Sequence, residues 1–118
     1  MKKPQILAIL LVLALAVAGA ASLGGWTKIE PEHLKDQDVA EAAAFAVDQH
    51  NREGAENLKL VTVDSGESQV VNGKRYRLNL TVSDAGNGDA LSKYEAIVWV
   101  HPGGNSPKEL TSFKKQKP

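Results

Sequence analysis

The chain has 118 residues, with 14 Lys plus Arg against 14 Asp plus Glu, so its formal charge is zero and its length suits one domain rather than a multi-domain enzyme. The balanced charge gives no support for a nucleic-acid partner, and a hydrophobic content of 42% argues against wholesale disorder. The sequence contains no cysteine, which excludes disulfide staples, thiolate metal sites and a cysteine nucleophile together.

The apolar residues are unevenly placed. Lys2 and Lys3 precede a run from Ile6 to Ala18 with no polar side chain, too short for a comfortable membrane span of about 20 residues. A basic start, a short apolar run and then small residues are the three parts of a secretory signal. Ala18-Gly19-Ala20 has the small-x-small pattern of a cleavage site, and Ala20-Ala21-Ser22 would also serve. An uncleaved membrane anchor is the alternative, and the span length disfavours it. The expected organisation is a signal peptide over residues 1–20 and one domain over 21–118, with the mature terminus between Ala21 and Leu23. Removing 20 residues and two of the 14 cations leaves 98 residues with a formal charge of −2. Secretion is therefore expected, with no membrane association after cleavage. Lacking disulfides, so small a secreted domain has to rely on a helix packed well against a sheet.

Gly24-Gly25 makes a flexible start, and Trp26 to Ile29 suggests a short first strand. Asp38-Val39-Ala40-Glu41 has the spacing of a capping box, an acid at the N-cap followed three residues later by glutamate. Ala40, Ala42, Ala43, Ala44 and Ala46 repeat the best helix former. Val39, Ala43, Ala46, Val47 and His50 recur at three- and four-residue steps and form one stripe, with Phe45 beside it. Gly54 is a natural stop, so the helix is expected over 38–53. After it the period changes to two. Leu58, Leu60 and Thr62 alternate with Lys59, Val61 and Val63 in a strand over 57–70. Asn72-Gly73 then fits a two-residue type I′ hairpin turn, because both residues tolerate positive φ. Tyr76, Leu78, Leu80 and Val82 alternate with Arg75, Arg77, Asn79 and Thr81, giving a second strand with one apolar and one wet face.

The segment from Asp84 to Asp89 reads as a loop, and Tyr94 to Val100 as a third strand with both faces apolar, so that alternation does not say which is the core. Pro102-Gly103-Gly104-Asn105 forces a turn, and Leu110 and Phe113 belong to a last strand. The expected fold class is α+β: one helix wrapped by a twisted antiparallel sheet of four to five strands. His33, His50 and His101 are far apart, without paired carboxylates at ligand spacing, so neither a metal nor a cofactor is expected. No Gly-x-Ser-x-Gly elbow accompanies the serines, and no catalytic residue is assigned.

Gln69-Val70-Val71-Asn72-Gly73 reads Gln-x-Val-x-Gly and resembles the signature loop of the cystatins, inhibitors of papain-like cysteine proteases. Its position adds to the resemblance: it falls in the first hairpin after a helix, between a Gly-Gly pair and a Pro-containing second hairpin. Ala43 to Asn51, with Phe45-Ala46-Val47, is similar to the helix motif of plant cystatins, and Tyr94 to Val100 is similar to the family's fourth strand. The likeness covers nearly all of residues 23–115. It implies the cystatin-like fold and a three-part wedge, formed by Gly24 and Gly25, by Gln69, Val70, Val71, Asn72 and Gly73, and by Pro102. In the family that edge enters the protease cleft and occludes it reversibly. The implied partner is a papain-like cysteine protease, and the implied setting extracellular: in a plant, the apoplast and defence. A monomer is expected, with a domain-swapped dimer left open.

One departure bears on function. The family's second hairpin carries Pro-Trp, whereas here the residues are Pro102-Gly103, so only Pro102 takes over a role. The alternative reading is accordingly a cystatin-fold binding or defence protein whose inhibition is weak or lost. Restoring the indole by Gly103→Trp is expected to slow protease release by about 10- to 100-fold. Each motif also has a plain structural explanation. Asn-Gly is a good turn by itself, Gly-Gly can be a loose tail, and Phe45, Val47 and Trp99 are most simply packing residues. Asn79-Leu80-Thr81 is an Asn-x-Thr acceptor, and alternation puts Asn79 and Thr81 in solvent, where N-glycosylation of Asn79 is possible.

Overall fold

The computed structural model describes residues 25–103, 105 and 107–117. The expected leader and its cleavage site, Gly24 of the glycine pair and Gly104 of the second turn lie outside them. Strand β1 is Thr27–Lys28, helix α1 Gln37–Gly54, β2 Leu58–Val70, β3 Lys74–Asp84, β4 Ala90–Val100 and β5 Lys108–Lys115. The strands form one antiparallel sheet in the order β1-β2-β3-β4-β5, a meander with α1 packed on one face.

The helix starts slightly earlier than its capping-box reading. Asp36 holds the N-cap position with extended backbone, and its carbonyl oxygen accepts the Ala40 amide at 2.9 Å. Asp38 lies inside the first turn, where one carboxylate oxygen accepts the Val39 amide at 3.0 Å and the other the Tyr76 hydroxyl at 2.7 Å. A local cap has given way to a bond joining helix to sheet. Glu41 accepts a hydrogen bond from Gln37 at 2.9 Å instead of closing the box. At the other end Gly54 is still helical, and Ala55 takes the left-handed conformation, with φ 55°. The Asn51 side chain then joins helix to sheet: its Nδ2 donates to the Leu58 carbonyl at 2.9 Å and its Oδ1 accepts the Leu58 amide at 3.0 Å.

Val39, Ala42, Ala43, Ala46 and Val47 are the buried side of α1. Three of the five are alanines with no exposed surface, so the helix can lie close over the sheet. Beneath them are Tyr76, Leu78, Leu80 and Val82 of β3 and Ala96 and Val98 of β4. Burial of each Leu or Val contributes about 1.5–3 kcal/mol. The ambiguous third strand is thus resolved. Tyr94, Ala96, Val98 and Val100 face the helix, while Ile97 and Trp99 occupy the outer face. His50 ends the helical stripe by stacking on Phe113 at 4.1 Å, and its Nε2 lies 2.7 Å from Glu56.

The simple alternation expected of β2 fails after Leu60. Register shifts fall between Leu60 and Thr62 and between Val63 and Ser65. Val61 is left half-exposed at 50%, while Val63 packs against the core. Asp64 pins this bulged stretch, accepting hydrogen bonds from Thr62 and Thr81, both at 2.6 Å, and from Lys93 at 3.1 Å. Thr81 is therefore buried rather than in solvent. Burial opposes ionisation of Asp64, but these three bonds outweigh it and hold its carboxyl below the usual range.

Candidate functional site

The sheet brings the predicted segments to one edge. Val70 pairs with Lys74, Lys74 with Val100, and Val100 with Lys108, so the β2–β3 and β4–β5 hairpins leave the sheet at the same level. Thr27 pairs with Ser68, and the Ile29 amide donates to the Gly66 carbonyl at 2.9 Å. Just before this strand, the Trp26 ring lies by Arg75 and Arg77, the cross-strand partners of Gln69 and Glu67. Residues 69–73 and Pro102 thus converge from two hairpins, and Gly25 lies two residues before the strand that pairs with Ser68 and Glu67.

The first hairpin differs from its expected form. Its loop is Val71-Asn72-Gly73, three residues rather than two, closed by the Val71 amide donating to the Gly73 carbonyl at 3.1 Å. Only Gly73 has positive φ, at 102°, so the turn is not type I′ and Asn72 adopts an ordinary backbone. Glycine is required at position 73 for a second reason. A Cβ there would fall on the Val100 carbonyl oxygen and close to the Pro102 ring. The two hairpins are packed against each other through this missing side chain.

Val70 is 75% exposed, an apolar side chain held at the tip of a well-paired strand. Asn72, Pro102 and Gly103 are exposed, and Gln69, Val71 and Gly73 half-buried. The Gln69 side-chain oxygen, Oε1, accepts from Arg75 at 3.3 Å. The second hairpin is closed by the His101 amide donating to the Pro107 carbonyl at 3.0 Å. Gly103 has φ 118°, a backbone that side chains with a Cβ rarely adopt.

Six residues near this edge, Trp26, Glu67, Arg75, Arg77, Trp99 and His101, were not singled out as functional in the sequence. The Trp26 ring lies over two guanidinium groups, 4.3 Å from Arg77 and 5.3 Å from Arg75. Arg77 is itself ion-paired with Glu67, its Nε donating at 2.7 Å. Trp99, expected to be a packing residue, is half-buried on the outer face, where its indole N–H donates to the Asn72 carbonyl at 3.0 Å. The His101 ring stacks on it at 3.9 Å. The signal for Trp99 was its parity: once Ala96 and Val98 face the helix, Trp99 must face outward, opposite Arg75. Among the described residues no group of three or more His, Asp or Glu is placed to hold a metal.

Comparison with known proteins agrees with this architecture. A family model described as "Aspartic acid proteinase inhibitor" matches residues 32–116. "Cysteine proteinase inhibitor 5" of Arabidopsis thaliana is 41% identical, the match covering 90% of this chain and 83% of the relative. The chain belongs to the plant cystatin family. "Cysteine proteinase inhibitor 8" of Oryza sativa subsp. japonica is 34% identical over 94% of this chain and 93% of its own length. A salivary cystatin from the soft tick Ornithodoros moubata superposes with a TM-score of 0.63 at 24% identity, covering 80% of this chain and 98% of that one, which establishes the fold. These relatives are named as inhibitors and not as enzymes. Their names differ in protease class, cysteine for the individual relatives and aspartic for the family model.

Proposed function

We propose that this cystatin is a secreted, reversible inhibitor of papain-like cysteine proteases that occludes the active-site cleft with its hairpin edge. The single observation that carries the reading is the in-register row Val70, Lys74, Val100 and Lys108, which brings two hairpins to one edge with an apolar tip exposed. No group at this edge has to react. Inhibition follows from shape, and a turn fixed before docking loses little entropy on binding. Gly25 lets the arm pass a partner without a Cβ clash. The names of the individual relatives support the cysteine class, as does the Gln69-to-Gly73 sequence at the edge.

The test is titration of papain and of a pepsin-type protease with the chain lacking residues 1–20. Stoichiometric, dilution-reversible inhibition of papain with none of the pepsin-type enzyme is expected, and the opposite pattern would overturn the assignment. The second reading, a cystatin with weak inhibition, is favoured by one observation. Gly103 has a left-handed φ where the family's Pro-Trp hairpin carries an indole. A micromolar rather than nanomolar constant would support it. Secretion carries a further expectation, glycosylation of Asn79, which lies on the outer face away from the helix with its amide donating to Ser65 at 2.9 Å. Thr81 of the same acceptor is tied to Asp64, so the glycan would be added before the sheet closes. Absence of a glycosidase-sensitive mass from protein secreted by a plant cell would rule that out.

A further inference from the structure

We infer that Trp99 is a positioning residue for the inhibitory edge, a brace that locks the first hairpin to the second from the outer face of the sheet; the inference rests on the inhibitor reading above. Three observations converge on it. The indole N–H donates to the Asn72 carbonyl at 3.0 Å, reaching from β4 across β3 to the loop of the neighbouring hairpin. His101, the first residue of the second hairpin beyond β4, stacks on the same indole at 3.9 Å, and its Nε2 lies 3.3 Å from Glu109 of β5. Beneath the bond, Gly73 brings the loop backbone against Val100 and Pro102. One side chain therefore touches both hairpins where they emerge.

Nothing in core packing demands this arrangement. Trp99 faces away from the helix and is not part of the buried cluster, although its ring is half-buried on the outer face. What it does is satisfy a carbonyl at the tip of a short loop that has one internal backbone bond, from the Val71 amide to the Gly73 carbonyl. Without the indole, Val71-Asn72-Gly73 keeps that bond, its two flanking strands and the packing of Gly73 against Val100 and Pro102, but its tip carbonyl loses its side-chain donor. A loop that samples several conformations must be ordered when it docks, and the affinity falls by the population it loses. The device suits this chain in particular, because its second hairpin presents glycine at position 103 and leaves more of the binding to the first hairpin.

The experiment is Trp99→Phe, which keeps an aromatic ring for His101 to stack on and removes the N–H together with the five-membered ring that carries it. Loss of one net hydrogen bond corresponds to about a three- to tenfold weaker inhibition constant for papain. In the free protein, amide hydrogen exchange at Val71, whose amide closes the loop, should accelerate by a similar factor, while the amides of Leu78, Leu80 and Ala96 keep their protection. A purely structural role would instead raise exchange across the whole sheet and lower the melting temperature in step. Unchanged exchange in the loop, or a uniform rise, overturns the brace. In the unaltered chain, slow exchange of the Trp99 indole proton is a check that needs no variant, and exchange as fast as a free indole also overturns it. If the wild type does not inhibit papain, the inhibitor reading fails, and the exchange pattern still decides whether the brace exists.

Discussion

The two ends of β3 are built for opposite purposes. From Leu78 to Val82 the strand is covered by α1, and its inward side chains are fully buried aliphatics that meet alanines across the interface. At Lys74 the same strand emerges into a hairpin where Val70 is exposed and backbone, rather than side-chain volume, determines the packing. Stability is concentrated in the first region, and recognition is expected in the second. Glycine and alanine serve both regions by being small: alanine lets a helix approach a sheet, and Gly73 lets one hairpin approach another.

The sharpest way to separate the regions is to damage each alone. Leu80→Ala leaves a cavity under α1 and should cost about 2–5 kcal/mol of stability, read as a large fall in the urea midpoint. The fraction that remains folded should inhibit papain with an unchanged constant. Gly73→Ala should do the reverse in proportion. The φ of 102° and the clash with Val100 cost about 1–3 kcal/mol, spent on distorting the hairpin itself. Inhibition should weaken by at least tenfold while the urea midpoint moves less than for Leu80→Ala. Equal losses of inhibition in both variants would abolish the distinction.

Between these extremes is the Asp38–Tyr76 bond, which ties the first turn of α1 to β3 close to the hairpin. The Tyr76 hydroxyl holds the Asp38 carboxyl below its ordinary range, helped by the Val39 amide and the Lys74 charge, while burial and then Asp38 itself push the tyrosine up. A carboxyl whose folded pKa is depressed adds stability that is fully present above its unfolded pKa of about 3.9 and is lost as pH falls through the folded value. Asp64 acts in the same direction. The protein should therefore lose stability on acidification below about pH 4. Tyr76→Phe should cost about 1 kcal/mol at neutral pH, discounted because Asp38 is largely exposed, or about 4–8 °C in Tm. The variant should also show a smaller acid loss than the wild type, and an identical pH profile would dissociate the bond from the acid sensitivity.

Much of this division was legible in the sequence, and what was missed follows a pattern. The helix, the meander and the apolar face of β3 follow from periodicity, since the alanine stripe and the Tyr76-to-Val82 alternation leave few alternatives. Local motifs were less informative wherever a tertiary partner competed. Asp38 looked like an N-cap because its spacing to Glu41 is right, yet Tyr76, distant in sequence, claims its carboxylate. Asn72-Gly73 looked like a type I′ turn, but packing against Val100 and Pro102 sets a three-residue loop with one left-handed glycine. Val61 broke the alternation of β2 because bulges pinned by Asp64 shift the register. At the hairpin edge, the glycine and valine positions could be named from sequence. The outer-face contacts of Trp26 and Trp99 could not, because each depends on a neighbour in another strand.

The smallest expected effect concerns Gly103, where the backbone conformation reduces the gain expected from the sequence. A tryptophan anchor at an interface contributes at least about 2 kcal/mol, which alone would slow protease release by roughly 30-fold. That gain assumes a turn that accepts a Cβ. Here position 103 has φ 118°, and although no atom lies near a Cβ built there, the backbone conformation itself costs about 1–3 kcal/mol for any other residue. Because the strain is internal to the turn, the chain can relieve it only by rearranging the hairpin, whose His101 amide is bonded to the Pro107 carbonyl. The anchor and the strain are of similar size, so Gly103→Trp should change the dissociation rate by no more than about threefold, measured by dilution from the papain complex. A much slower release would mean that the turn refolds at little cost and that the second hairpin is more adaptable than the first. A release rate unchanged here but accelerated in Gly73→Ala would place the binding energy on the first hairpin, where backbone geometry is already fixed.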